Sequence, residues 1–303
     1  MLDPWLVGAA LAVEAAVGYP ALRQKFVPPP VVWIGSVLRA LDNGWNRPEA
    51  AHRKFSGLLC LLLVVAAAGG VGAALAQLGP IVVILAGTLG LAQRSLYDHI
   101  AAVAAPLERG DLTAARVAVA KVVGRDVEGL DESGVASAAL ESLAESFNDG
   151  IVAPAFWMFV GGLPGLFAYK AVNTADSMIG HMEPRWRDFG WASARVDDVM
   201  NWVPARIAGA LIALLGGGWR VMWADAGKHA SPNAGWPEAA MAGALKVELG
   251  GPAVYDGVLH DRPRFGAGPR PSPVDLRRGL RLYMTACIAM WVLFALGGLA
   301  WRL

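Results

Sequence analysis

Apolar positions along this chain fall into long uncharged stretches, with the polar positions gathered between them. Residues 55–93 carry no charge at all. Gly79-Pro80 divides this stretch. Residues 55–78 exceed the roughly 20 needed to cross a hydrocarbon core about 30 Å thick. Residues 81–93 fall short of that, so the second arm is expected to run on past Arg94, where Arg94 and Asp98 can pair at i, i+4. Residues 282–301 form another uncharged stretch, of 20 residues, between Arg281 and Arg302. Residues 2–17 are a weaker candidate because they hold Asp3 and Glu14, and they lack the basic start and small-residue cleavage site of a signal peptide. Residues 151–169 are uncharged but interrupted by Pro154, Gly161-Gly162 and Pro164-Gly165, and residues 207–219 are apolar but short. Irregular backbone at membrane depth survives only where protein shields it.

The pattern therefore predicts an all-α, multi-pass integral membrane helical protein with re-entrant or broken helices and cytoplasmic amphipathic helices. We read residues 1–303 as a single membrane-embedded domain with polar, site-bearing regions at 94–149, 168–206 and 225–252. Composition agrees: 55% of the 303 residues are apolar and 17% are charged, against about 25% charged in a typical soluble domain. A formal net charge of +1 excludes the basic excess of a nucleic-acid binder. Cys60 and Cys287 are the two cysteines and both lie in apolar runs, which excludes a disulfide framework or a cysteine-based zinc site. Six basic residues against two acidic ones in 23–54, and the Arg-rich 220–281, place those loops on the cytoplasmic side of the inner membrane, with the 77–80 turn outside.

The polar middle is different in kind. Residues 101–123 predict two short amphipathic helices broken at Gly110-Asp111. Asp131 opens a helical run in which Glu141, Glu145 and Asp149 recur at i, i+4 and i+8, within about 80° of one face. No Lys or Arg lies within that run. The plain alternative is a solvated acidic stripe. Lys170, Asn173, Asp176 and Ser177 follow the broken apolar run, and Arg195, Asp197, Asp198, Asn201 and Arg206 border the next one. Each could be a helix-end anchor. Together they combine hard oxygen ligands suited to Mg²⁺ with cations suited to phosphate, as a Mg-nucleotide or phosphorylated-substrate site requires. The run from Ser231 through Asn233 to Glu238 starts as a loop and leads into a helix at 239–245, and residues 262–273 read as a loop. No phosphate loop, nucleophile elbow or zinc-protease motif occurs, and the five histidines are scattered.

Four blocks of residues resemble one known family. They are Val122 to Asp126, including Arg125, with Glu141 through Pro154; Tyr169 through Gly180; Phe189 through Asp198 with Asn201 and Arg206; and Ser231 through Gly243 with Leu249 to Pro252. Together they are similar to the adenosylcobinamide-phosphate synthase family, integral-membrane amide-forming enzymes of cobalamin biosynthesis. The likeness covers most of the chain. Departures fall at Tyr19, Pro29, Ser137 (commonly Arg) and Ser146 (commonly Asn).

The resemblance implies an ATP- and Mg²⁺-dependent reaction. It joins adenosylcobyric acid, a corrinoid substrate, to aminopropanol phosphate or an analogue such as ethanolamine phosphate. The implied catalytic residues are Glu141, Glu145, Asp176 and Asp198. Substrate and phosphate contacts fall to Arg125, Lys170, Asn173, Ser177, Arg195, Asn201, Arg206, Ser231 and Asn233. Metal contacts fall to Glu141, Glu145, Asp149 and Asp197. The expected partners are the lipid bilayer and other cobalamin-pathway enzymes, not nucleic acid. The competing classes are a non-catalytic membrane regulator related to the β-lactamase-induction family and a transporter. A cytoplasmic ATP site further expects Glu145 and Asp176 on one side of the membrane, with the 151–169 run turning back between them.

Overall fold

A computed structural model describes residues 1–18, 29–47, 52–301 and 303. The departure at Tyr19 lies outside them. Most of what is described is helical. The helices are α1 (Pro4–Val17), α2 (Pro30–Trp45), α3 (Arg53–Ala76), α4 (Pro80–Thr88), α5 (Gln93–Glu108), α6 (Leu112–Val119), α7 (Glu132–Phe147), α8 (Ala153–Ile179), α9 (Trp191–Gly216), α10 (Trp219–Asp225), α11 (Gly235–Leu245) and α12 (Pro273–Trp301). A π turn, Asn148–Val152, joins α7 to α8. The strands are β1 (Leu249–Gly250), β2 (Ala253–Tyr255), β3 (Val258–His260) and β4 (Arg264–Phe265). They make two antiparallel pairs, β1 with β4 and β2 with β3. Among the described residues, five helical stretches are long and apolar enough to cross a membrane: Arg53–Ala76, Pro80–Glu108, Glu132–Ile179, Trp191–Gly216 and Pro273–Trp301. This is an all-α membrane protein.

The chain divides into two compact units that interleave in sequence. One comprises Met1–Ala92, Ala153–Asn201 and Leu293–Leu303; the other comprises Gln93–Val152 and Trp202–Val292.

In the first unit α3 packs along α8 around Leu38, Cys60, Leu61, Val64, Ala171, Val172, Ala175 and Phe189. The contact needs small residues. A Cβ on Gly72 would sit 2.6 Å from the carbonyl oxygen of Leu163. The other side of α3 presents Leu58, Leu59, Leu62, Leu63 and Val71 as exposed groups, a surface for lipid rather than water. The turn at Gly79-Pro80 is present, and α4 starts at Pro80 with Gly79 at φ 98°. The second arm is not continuous, however. It stops at Thr88 and resumes at Gln93 as α5, where Arg94 Nε meets Asp98 at 3.1 Å as its i, i+4 spacing predicts.

The broken run bends where its glycines and proline predict. Gly162 has φ 63° and ψ −155°, which breaks the helix. A Cβ on Gly165 would lie 2.5 Å from the carbonyl oxygen of Trp157. Residues eight apart in a straight helix are about 12 Å apart, so α8 turns a sharp corner rather than running as a rod. The other short run behaves differently: residues 207–216 are the second half of the 26-residue α9, which also carries Arg195 to Asn201. Pro204 does not stop the helix, and the apolar residues simply continue it.

In the second unit α7 is buried on nearly every side, from Gly134 to Glu141 and again at Leu143, Ala144 and Phe147. A helix apolar all round belongs in a core. Asp131 caps it, accepting from the Gly134 N–H at 2.7 Å. The break at Gly110-Asp111 lies between α5 and α6, and Asp111 caps α6. The loop after α6 is tied down on both sides of Arg125. Ser142 donates its hydroxyl to the Val122 carbonyl at 2.8 Å, the Gly257 N–H donates to Asp126 Oδ2 at 2.8 Å, and the Asp126 N–H donates to the Val254 carbonyl at 2.8 Å. Helix α11 begins at Gly235, four residues before the predicted start at 239, and the loop read at 262–273 contains β4.

Candidate active site

Glu141 is the centre of the second unit's polar interior. Its side chain is 3% exposed. Oε2 accepts from Arg125 Nη2 at 2.6 Å and from Arg262 Nη1 at 3.0 Å. Oε1 accepts from the Ser137 hydroxyl at 2.9 Å and from the Gly250 N–H at 3.1 Å. Two guanidiniums, a hydroxyl and a backbone amide thus fill the carboxylate. A solvated stripe is ruled out at this position. Burial opposes the charge on Arg262, but Glu141 outweighs it and holds the guanidinium above its ordinary value. Ser137, a departure from the family pattern, lies inside the site as one of the four donors.

Glu145 is one turn further along α7 and is exposed. Its charge lies within electrostatic range of Asp149, Arg262, Glu141 and Arg125. The regular helical step that defines the stripe ends at Phe147. Asp149 stands in the π turn and accepts from Asn148 Nδ2 at 2.7 Å.

Three groups that sequence reasoning passed over or left unassigned complete the cluster. Glu238, in the first turn of α11, has a side chain 1% exposed, and its Oε1 is 3.8 Å from His229 Nε2. Burial first, then the carboxylates of Glu141 and Glu145, push Glu238 well above the usual carboxylate range, against the two arginines. His229 is lowered by burial and by Arg262, and its Nδ1 accepts from the Ser231 N–H at 2.9 Å. Arg262 is the third. It stands 121 residues from Glu141 in sequence, so no local spacing could have pointed to it. Glu238 sits in a run whose end at a helix start was legible, and that was its one signal.

The other expected residues of this unit have structural contacts. Ser231 Oγ accepts from the N–H groups of Asn233 at 3.2 Å and Ala234 at 3.4 Å, closing the turn into α11, and Asn233 is buried. Arg206 donates to the Trp202 carbonyl at 2.6 Å, with its guanidinium 4.0 Å from the Trp202 ring and 4.7 Å from the Trp236 ring.

The first unit gathers the remaining set. Tyr169 donates its hydroxyl to Asn201 Oδ1 at 3.0 Å, Asn201 Nδ2 donates to Asp197 Oδ2 at 3.0 Å, and Asn173 Nδ2 donates to Asp197 Oδ1 at 3.4 Å. This chain of bonds joins α8 to α9. Ser177 donates back to the Asn173 carbonyl at 2.9 Å. Arg195 reaches Asp198 at 3.4 Å, one turn along α9. Asp176 follows on α8. Lys170 stands at the edge of an apolar cavity of about 270 Å³ walled by Pro30, Val31, Ile34, Val64 and Phe167.

Among the described residues, no three carboxylate, His or Cys side chains converge as a ready metal cage. Glu141 is a poor ligand because arginines already occupy it, and Asp197 belongs to a different unit from Glu141, Glu145 and Asp149. Mg²⁺ on a nucleotide needs only one or two carboxylates besides phosphate oxygens and water. Glu145 and Asp149 fit that requirement.

Comparison with known proteins follows this geometry. Residues 7–283 match the family model described as CobD/Cbib protein. The chain belongs to the CobD/Cbib family. It is 47% identical over 303 residues to "Cobalamin biosynthesis protein CobD" of Rhodobacter capsulatus, covering 96% of each chain. A protein of the same name from Rhizobium meliloti is 43% identical over 312 residues, covering 96% of this chain and 95% of its own. Another, from Brucella suis biovar 1, is 43% identical over 282 residues and 86% of each chain. No solved structure matches. Family membership gives the chain a role in cobalamin biosynthesis.

Proposed function

We propose that this protein is an ATP-dependent ligase. It joins the free carboxyl of adenosylcobyric acid to the amine of aminopropanol phosphate, or of ethanolamine phosphate, to give adenosylcobinamide phosphate. The observation that carries the reading is the pairing of two inward-facing arginines, Arg125 and Arg262, with an exposed carboxylate, Glu145, on a helix that otherwise belongs to the core. Few other purposes require charge at that density in so apolar a chain.

A carboxylate does not react with an amine at neutral pH. Phosphorylation of the corrinoid carboxyl by ATP turns its oxygen into a good leaving group, and the amine then displaces phosphate. Glu145 and Asp149 would hold Mg²⁺, which would screen the phosphate charges. Arg125 and Arg262 contribute fixed positive potential where phosphate arrives, and Glu141 fixes their orientation. ATP supply puts this site on the cytoplasmic side of the inner membrane.

The test is direct. Purified, detergent-solubilised protein is incubated with adenosylcobyric acid, aminopropanol phosphate and Mg-ATP, and the corrinoid product is weighed by mass spectrometry. The amide is expected only when ATP is present. ATP-independent product, or none at all, would overturn the reading. For orientation, a single cysteine at Ser146 in a background lacking Cys60 and Cys287 should react with an impermeant thiol reagent from the cytoplasmic face alone.

A further inference from the structure

We propose that Glu238 accepts the proton of the amine substrate before the amide bond forms. This rests on the ligase reading above and assigns the one buried carboxyl of the site that the reading leaves without a role. The side chain of Glu238 is 1% exposed, yet its Oε2 has no hydrogen-bond partner among the described residues. Its Oε1 is 3.8 Å from His229 Nε2, beyond hydrogen-bond range. A buried acceptor left in this state is costly and calls for a reason. A donor brought in by substrate supplies one.

The neighbouring histidine is not the base. Its Nδ1 already accepts from the Ser231 N–H, so the neutral ring carries its hydrogen on Nε2, the nitrogen that faces Glu238. Phe265 stacks on the same ring at 6.1 Å and 24°. The ring is fixed as a donor. It has no lone pair to offer an ammonium.

The charges around Glu238 suit the task. The elements packed on α11 bring Glu141 and Glu145 from α7, His229 from the turn after α10, and Arg262 from the segment before β4, with Arg125 behind them. Burial strengthens the hold of Glu238 on a proton. A base of raised proton affinity competes better for an ammonium proton near neutral pH than an ordinary carboxylate does. Burial serves a second purpose, because an acyl phosphate is hydrolysed wherever water reaches it.

The step balances. The ammonium gives its first proton to Glu238 Oε2, which frees the nitrogen lone pair. That pair forms the C–N bond to the acyl carbon of the corrinoid acyl phosphate. The C–O bond to phosphate breaks, and phosphate leaves with those electrons. The second proton, shed from nitrogen as the amide forms, goes to the departing phosphate.

Hydroxylamine separates this step from activation, because it is largely uncharged at neutral pH and attacks an acyl phosphate without a base. With Mg-ATP and adenosylcobyric acid, the wild-type protein should form the amide from aminopropanol phosphate and the hydroxamate from hydroxylamine. Glu238→Gln should keep hydroxamate formation within about twofold while amide formation falls on the order of 10²- to 10⁴-fold. Glu238→Asp keeps the carboxyl on a shorter stem and should recover part of the amide rate, again with hydroxamate formation unchanged. It serves as the test if the Gln variant does not fold. An equal loss of both products, or an unchanged amide rate, overturns the role of Glu238. Wild-type protein that yields neither product overturns the ligase reading instead, and the inference with it.

Discussion

Asp197 and Glu141 are both buried carboxylates, and different donors reach them. Asp197 accepts from the side-chain amides of Asn173 and Asn201, in the first unit. Glu141 is matched by two guanidiniums and two further donors in the second unit. Amide donors link helices without adding charge. Guanidiniums neutralise a charge and set up a field toward the open end of the helix, where Glu145 stands. The first arrangement suits joining α8 to α9; the second suits binding anions.

The comparison can be broken most sharply at Glu141. Glu141→Leu leaves Arg125 and Arg262 buried without their counter-charge, and the expected loss is about 3–5 kcal/mol. Thermal unfolding of the detergent-solubilised protein measures it. Asn201→Leu removes one neutral link and should cost about 1–3 kcal/mol. Equal losses in the two variants would erase the distinction drawn here.

Glu145→Gln sharpens the contrast between holding the fold and doing chemistry. The residue is exposed, so the unfolding midpoint should stay near wild type. ATP-dependent amide formation should fall by roughly 10²-fold or more. Wild-type turnover in this variant would remove Glu145 from the site.

Arg195→Lys is expected to do less. The guanidinium is 68% exposed, so stability should not change measurably. Loss of the planar fork should raise the apparent KM for ATP or for the amine phosphate about tenfold and leave that for the corrinoid alone. A change confined to the corrinoid would reassign the residue.

The smallest effect concerns pH. Glu238 is raised in the folded protein, chiefly by burial, so the folded chain keeps a proton that the unfolded chain gives up from about pH 4.3. Stability should therefore fall as pH rises from there through the raised value. Glu238→Gln should flatten that slope; an unchanged slope would mean that Glu238 holds its proton no more tightly in the folded protein than in the unfolded chain.

Much of this was legible in the residues because it is local. Uncharged runs of sufficient length mark the apolar helices, and Gly79-Pro80 and Gly110-Asp111 mark turns through backbone freedom and lost donors. Asp131 announces the start of α7. The corner in α8 follows from Gly161-Gly162 and Pro164-Gly165, because a glycine at φ 63° breaks the helical path within one residue. The i, i+4 spacing that put Glu141 and Glu145 on one face was likewise readable. Burial was not. Nothing local distinguishes Glu141, sealed in the core, from Glu145, exposed four residues later.

What only the tertiary structure decided is who meets whom. Arg125 reaches Glu141 across 16 residues, the Gly250 N–H across 109 and Arg262 across 121. A guanidinium in a Pro- and Gly-rich loop looks like any solvated charge until the loop is folded onto α7. The length and apolarity of the helices come from the sequence by itself, because they follow from composition and period alone. The charge balance of the site depends on contacts between segments far apart along the chain, and no periodicity encodes those.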